Sequence, residues 1–159
     1  MKKQFTHIDA AGNPRMVDVS EKQITRRVAK AEAVVILDKE ILAQIKSNEL
    51  ITKKGPVFQT AIIAGVMAAK KTHELIPFCH PLALEDCQVR IEVVKTKVVI
   101  TAEATITGKT GVEMEALTAA SVAALTVYDM CKALSHTIVI EKVNLMSKTG
   151  GKQDFIRKK

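Results

Sequence analysis

At 159 residues the chain suits one domain, long enough to bury a core and too short for two independent ones. A hydrophobic share of 47% excludes a disordered chain, and with aromatics at only 3% the core has to be built from Ala, Val, Ile, Leu and Met. The excess of 24 Lys+Arg over 17 Asp+Glu gives a formal net charge of +7, which calls for an anionic partner: nucleic acid, a phosphorylated metabolite or a membrane surface.

The N-terminal Met1-Lys2-Lys3-Gln4-Phe5-Thr6 lacks the apolar stretch of a signal peptide, and residues 1–25 read as an irregular arm with one apolar patch at Met16-Val17-Asp18-Val19. From Arg27 the pattern alternates, Ala29, Ala31, Ala33, Val35 and Leu37 sharing one face of a strand. Asp38 is placed to cap a short helix carrying Ile41, Leu42 and Ile45. The polar link Lys53-Lys54-Gly55 leads to Pro56 at the first turn of a helix over 56–75, whose Ala61, Ala64, Gly65, Ala68 and Ala69 form a close-packing surface. Pro77 and Pro81 frame a rigid loop, Pro77-Phe78-Cys79-His80-Pro81. Strands over 87–94 and 98–106 form a hairpin across Lys95-Thr96-Lys97.

The longest helix-forming run follows within 108–134, then a last strand near 137–146 and a basic, glycine-containing tail over 148–159. This order, with 26–147 as the folded body, spells an α+β chain on the split βαβ, ferredoxin-like plan: an antiparallel sheet with its helices packed on one face. No apolar run approaches the roughly 18 residues of a membrane span. Cys79, Cys87 and Cys131 are odd in number and form no CxxC pair, which points to a reduced, cytoplasmic compartment.

Charge enters the 108–134 run only near its ends. On a helix Glu115, Asp129 and Lys132 fall within roughly 60° of one direction, with Asp129 and Lys132 one turn apart. Two readings stand side by side: a surface ion pair, or a half-buried acid/base couple whose lysine pKa is lowered by its surroundings. If Thr110–Glu115 is extended, Glu113 and Glu115 point the same way; if the helix already includes them, they lie on opposite sides. His80, on its proline-framed loop, is either a structural histidine or a hydrogen-bonding and acid/base group.

Lys54 precedes a helix N-terminus whose free N–H groups suit a phosphate, and Lys148 precedes Thr149-Gly150-Gly151, a candidate anion nest. The histidines and cysteines show no metal-ligand spacing, so no metal site is expected. A P-loop reading of Gly108-Lys109-Thr110 fails because Glu103 stands where its first glycine should be. A Cys79–His80 nucleophile pair is disfavoured because adjacent residues seldom orient a thiolate and its base correctly. Scattered aromatics leave no base-stacking platform, which lowers nucleic acid and raises a small phosphate-bearing ligand.

The segments Leu75-Ile76-Pro77-Phe78-Cys79-His80-Pro81-Leu82, Gly108-Lys109-Thr110-Gly111-Val112-Glu113-Met114-Glu115-Ala116, Tyr128-Asp129-Met130-Cys131-Lys132-Ala133 and Lys148-Thr149-Gly150-Gly151-Lys152 closely resemble the molybdenum cofactor biosynthesis protein C family, the cyclic pyranopterin monophosphate synthases. His7-Ile8-Asp9, Met16-Val17-Asp18-Val19-Ser20 and Ala31-Glu32-Ala33 fit as well, so the likeness spans nearly the whole chain. The resemblance implies a phosphorus-oxygen lyase that converts 3',8-cyclo-7,8-dihydroguanosine triphosphate to cyclic pyranopterin monophosphate and releases pyrophosphate. It also implies a ferredoxin-like catalytic domain assembled as a homohexamer of dimers, with active sites at subunit interfaces.

Carried over by motif, Asp129 and Lys132 stand as the central acid/base pair. Phe78, Cys79, His80, Met114 and Glu115 stand as substrate-binding positions with Glu113 close by, and Lys54, Lys148 and, more weakly, Lys70 as basic site residues. Arg26 and Arg27 compete for an arginine that reaches the triphosphate from a neighbouring subunit, and register favours Arg27. No cofactor is required by this reading; Mg²⁺ accompanying the triphosphate is not readable from sequence. The rival is a basic, non-catalytic RNA- or nucleotide-binding module on the same fold, whose salt-dependent affinity would not depend on Asp129 or His80.

Overall fold

Strand β1, Thr25–Ile36, sets the frame because its odd-numbered residues Ala29, Ala31, Ala33 and Val35 are all buried, as strict two-residue alternation requires. The structure is a computed structural model and describes residues 11–158. The first ten residues of the expected arm, with His7-Ile8-Asp9, and Lys159 lie outside the described residues. After β1 come α1 (Lys39–Leu42), β2 (Ile51–Thr52), β3 (Gly55–Pro56), α2 (Val57–Ala69) and α3 (Thr72–Leu75). Then follow β4 (Asp86–Val94), β5 (Lys97–Gly108), α4 (Glu113–Cys131), β6 (Val139–Thr149) and β7 (Phe155–Ile156).

The main sheet is antiparallel throughout, in the order β4-β5-β1-β6-β7, and β2-β3 form a separate small hairpin. α4 packs on β1, β5 and β6, and α2 packs on α4 and β4, so both helices cover the sheet face that carries the buried alanines. The helices cross at Gly65, where an added Cβ would come within 2.9 Å of the Ala119 carbonyl and 3.3 Å of the Ala123 methyl. The close-packing surface expected from the small residues is therefore a contact between two helices of the same chain.

Several elements depart from the sequence pattern, each for a local reason. The expected 56–75 helix breaks into α2 and α3, because Lys71 leaves helical geometry and the Thr72 hydroxyl bonds back to the Ala69 carbonyl at 3.0 Å. Asp38 does occupy the N-cap of α1, but its carboxylate takes the Thr137 hydroxyl at 2.7 Å and bonds no helix N–H. α1 ends at Leu42, leaving Ile45 outside it. β6 starts and ends later than the expected 137–146 strand, at Val139 and Thr149, and β7 returns to pair with it, Ser147 opposite Ile156 and Lys148 opposite Phe155. Among the described residues no helix is long and apolar enough to cross a membrane.

Candidate active site

A cavity of about 820 Å³ opens where the N-terminus of α4 meets the start of β1, the 78–82 loop and the end of β6. β1 parity decides which arginine faces it: Arg27 shares the helix-side face with Ala29 and Ala31 and lines the cavity, whereas Arg26 points to the other face and does not. Arg27 is steadied by donating its Nε–H to the Gly108 carbonyl at 3.0 Å. Lys148 reaches the same cavity through a bulge. Between the pairs Lys30–Ser147 and Ala31–Leu145 the register skips Met146, and this shift sets Lys148 opposite the buried Ala29, on the helix side. Without that bulge the two-residue alternation from Leu145 would turn Lys148 outward.

α4 begins at Glu113, so the helical alternative for Glu113 and Glu115 holds, and both line the cavity because it wraps around the helix end. Glu113 forms an ion pair with Lys148, Oε1 to Nζ 2.8 Å. Its carboxylate lies over Gly111, where any Cβ would collide with it, so only glycine admits this rotamer. Glu115 is only 3% exposed. Burial pushes its pKa up to about 7, the charge of Glu113 adds to the rise, and a backbone hydrogen bond partly opposes it. Near neutral pH that carboxyl both gives and takes protons.

Phe78, Cys79, His80 and Met114 also line the cavity. Burial, reinforced by the charge of Glu115, raises the Cys79 thiol pKa, which works against a thiolate nucleophile there. Lys22 and Lys152 add cationic lining that the sequence reading did not single out. Lys152 was legible as the end of the Lys148-Thr149-Gly150-Gly151-Lys152 run, while Lys22 carried no spacing signal. Lys109, the lysine of the rejected P-loop pattern, donates to the Ser20 carbonyl at 2.6 Å and so anchors the 18–22 turn of the arm.

At the opposite end of α4 a second group gathers. The Lys54 ammonium sits 2.8 Å from Asp129 Oδ2 and 3.0 Å from the Asp129 carbonyl, and the Lys132 ammonium sits 2.7 Å from Asp129 Oδ1. These side chains are about half exposed, Asp129 at 53%, so of the two readings the surface ion pair holds and the half-buried couple does not. Hydrogen bonds from Lys132 and then Lys54 hold the Asp129 pKa down to about 2. The Lys132 pKa is raised by its hydrogen bond to Asp129, where the sequence reading expected it lowered: an anionic oxygen at contact distance stabilises the ammonium, and exposure leaves little desolvation to oppose it.

The free N–H groups expected beside Lys54 are also taken. Phe58 N and Gln59 N, in the first turn of α2, donate to Glu49 at 2.8 and 3.0 Å, so no phosphate berth is left at this helix end. Lys70, the C-cap of α2, lines neither the cavity nor the Asp129 cluster and acts electrostatically on Cys87. Among the described residues no group of three or more His, Cys, Asp or Glu is placed to hold a metal ion.

The fold and cavity define a class: a mixed α/β protein whose helices pack on an antiparallel sheet, with Arg27, Lys148, Glu113 and Glu115 gathered in one cavity. Within that class the chain belongs to the MoaC family, whose model matches residues 16–151. It is 55% identical over 153 residues, 96% of its length and 93% of the relative's, to the cyclic pyranopterin monophosphate synthase of Xanthomonas campestris pv. campestris strain 8004. It is 52% identical to molybdenum cofactor biosynthesis protein 1 of Drosophila melanogaster, matching 97% of this chain and 27% of that longer protein. The protein of the same name from Dictyostelium discoideum is 46% identical over 167 residues, 94% of this chain and 26% of that protein.

Proposed function

We propose that the chain is a cyclic pyranopterin monophosphate synthase, a lyase of molybdenum cofactor biosynthesis that converts 3',8-cyclo-7,8-dihydroguanosine triphosphate to cyclic pyranopterin monophosphate and releases pyrophosphate. The observation that carries this reading is the near full-length likeness to a protein of that name. The cavity supports it chemically. Arg27, Lys22 and Lys152 offer positive charge to a triphosphate, and Lys148 joins them by exchanging its Glu113 partner for a phosphate oxygen. Glu115, with a pKa near 7, and His80 serve the proton transfers of ring opening and rebuilding, while Phe78, Cys79 and Met114 hold the ring.

Asp129 and Lys132 are the central acid/base pair. Asp129, kept an anion by two ammonium groups, holds Lys132 as its partner, and Lys132 donates a proton to the strongest base formed, the departing oxygen. Lys54 offsets the charge that develops there. Glu115 and Asp129 lie about 21 Å apart along α4, too far to serve one small reacting centre. A second copy therefore brings its Lys54–Asp129–Lys132 cluster to the first copy's cavity, in a homohexamer of dimers with interface sites.

The rearrangement exchanges protons and phosphate without net redox, so no resident cofactor enters, and Mg²⁺ travels with the triphosphate if it is used. The strand order and the two helical crossovers support the ferredoxin-like plan, with 26–147 as the catalytic body flanked by arm and tail. A cytoplasmic, reduced setting suits the unpaired thiols. The test is turnover of the cyclised GTP derivative by Asp129→Ala and Lys132→Ala. Each is expected to fall by at least about 100-fold, and near-parental rates from folded variants would overturn the assignment.

A further inference from the structure

We infer that Glu49 is a positioning residue for Lys54, acting through the β2–β3 hairpin; this rests on the catalytic reading of the Lys54–Asp129–Lys132 cluster. Lys54 is carried at the tip of that hairpin, whose two-residue strands pair Ile51 with Pro56 and Thr52 with Gly55. So short a ribbon has little stability of its own. Its base is tied instead. Val57 N donates to the Leu50 carbonyl at 2.8 Å, and the Glu49 carboxylate spans from the strand to α2, taking Leu50 N and Phe58 N on Oε1 at 2.8 Å each and Gln59 N on Oε2 at 3.0 Å.

α2 has no cap of its own, since its N-cap is Pro56, without a side-chain cap bond, and its first turn holds no acidic residue. A carboxylate from outside the helix thus satisfies donors the helix leaves open. Glu49 is itself held by a tight turn: Lys46 and Glu49 exchange both backbone hydrogen bonds around Ser47 and Asn48, which adopt φ of 50° and 56°. The chain of contacts runs from the 46–49 turn through Glu49 to the first turn of α2 and the base of the hairpin, and from the hairpin tip through the Lys54 ammonium to Asp129. A reacting group displaced by about 1 Å loses up to about 100-fold in rate.

Glu49 thereby sets where Lys54 and the Asp129 carboxylate meet, while touching no substrate. The test uses the full chain as Glu49→Gln, Glu49→Ala and the double variant Glu49→Ala/Pro56→Asp, read by amide hydrogen exchange of residues 50–56, by melting temperature and by steady-state turnover. An Asp at position 56 caps α2 from its own N-cap without tying residue 49 to it.

Glu49→Ala is expected to speed hairpin exchange at least about 10-fold and lower kcat about 10- to 100-fold, with KM within about threefold. Glu49→Gln, keeping one acceptor oxygen, falls between it and the parent. The double variant is expected to regain the melting temperature but not kcat. Unchanged hairpin exchange in Glu49→Ala would overturn the inference, and so would recovery of kcat together with melting temperature in the double variant, because Glu49 would then be a helix cap alone. A parental rate for Lys54→Ala in the same assay would instead bring down the catalytic reading of the cluster, and with it the catalytic consequence of the clamp, while the exchange data still report whether the clamp exists.

Discussion

The two ends of α4 carry carboxyls held in opposite states. At the N-terminal end Glu115 is buried in a cavity wall with its pKa pushed up to about 7; at the C-terminal end Asp129 stands in solvent between two ammonium groups with its pKa held down to about 2. The helix dipole acts in the contrary sense, lowering a carboxyl pKa at the N-terminus and raising it at the C-terminus by about 0.3–1 kcal/mol. Removal from water outweighs it at one end, and direct hydrogen bonds from lysines outweigh it at the other. Immediate surroundings, more than place on the helix, decide what each carboxyl can do: Glu115 exchanges protons near pH 7, and Asp129 is a fixed charge.

Substitution should separate the ends further. Asp129→Asn is expected to lower turnover by about 100- to 10,000-fold while leaving the melting temperature of the free chain within a degree or so, because an exposed ion pair adds little to folding. A large drop in melting temperature would make the cluster a structural brace and erase the contrast.

Glu115→Gln should act on stability with a pH signature. In the folded chain the Glu115 pKa lies above its ordinary value of 4.5, so between pH 4.5 and about 7 the folded state holds a proton that the unfolded state has released, and stability falls as pH rises through that window. Removing the titration should make the variant gain on the parent by up to roughly 3 kcal/mol between pH 4.5 and 8. Parallel stability curves for the two across that range would contradict the buried, raised carboxyl.

The smallest effect is expected midway along the helix. Gly65→Ala puts a methyl against the Ala119 carbonyl and should destabilise by about 1–3 kcal/mol. Turnover per folded molecule should change little, since neither end is touched; denaturant melts beside specific activity would show whether the helix crossing is as tight as its geometry implies.

The β1 alternation and the β4–β5 hairpin were legible because each repeats a simple period over many residues, and α4 because a long run of helix formers fills 108–134, within which the helix occupies 113–131. Both ends of α4 were legible as well, since charges confined to the ends of an Ala-rich run stand out. Elements set by single contacts were not. The break between α2 and α3 depends on one threonine hydroxyl, and the Lys148 orientation on one skipped residue in the β6 register. The pairing of Lys54 with Asp129 joins residues 75 positions apart, beyond any local period. The sign of the Lys132 shift is hidden for a related reason: the neighbours Tyr128, Met130 and Cys131 suggest burial, but the last turn of α4 turns its polar side to solvent.

β7 carries a consequence for engineering. Its two residues cover part of the free rim of β6 and hold the backbone of Lys148, through Phe155, on the side away from β1. An uncovered rim of extended backbone is a template on which other molecules stack. Trimming the chain after Gly151 would therefore loosen a cationic side chain of the cavity and invite self-association together, so a purification tag is better carried beyond the tail than substituted for it.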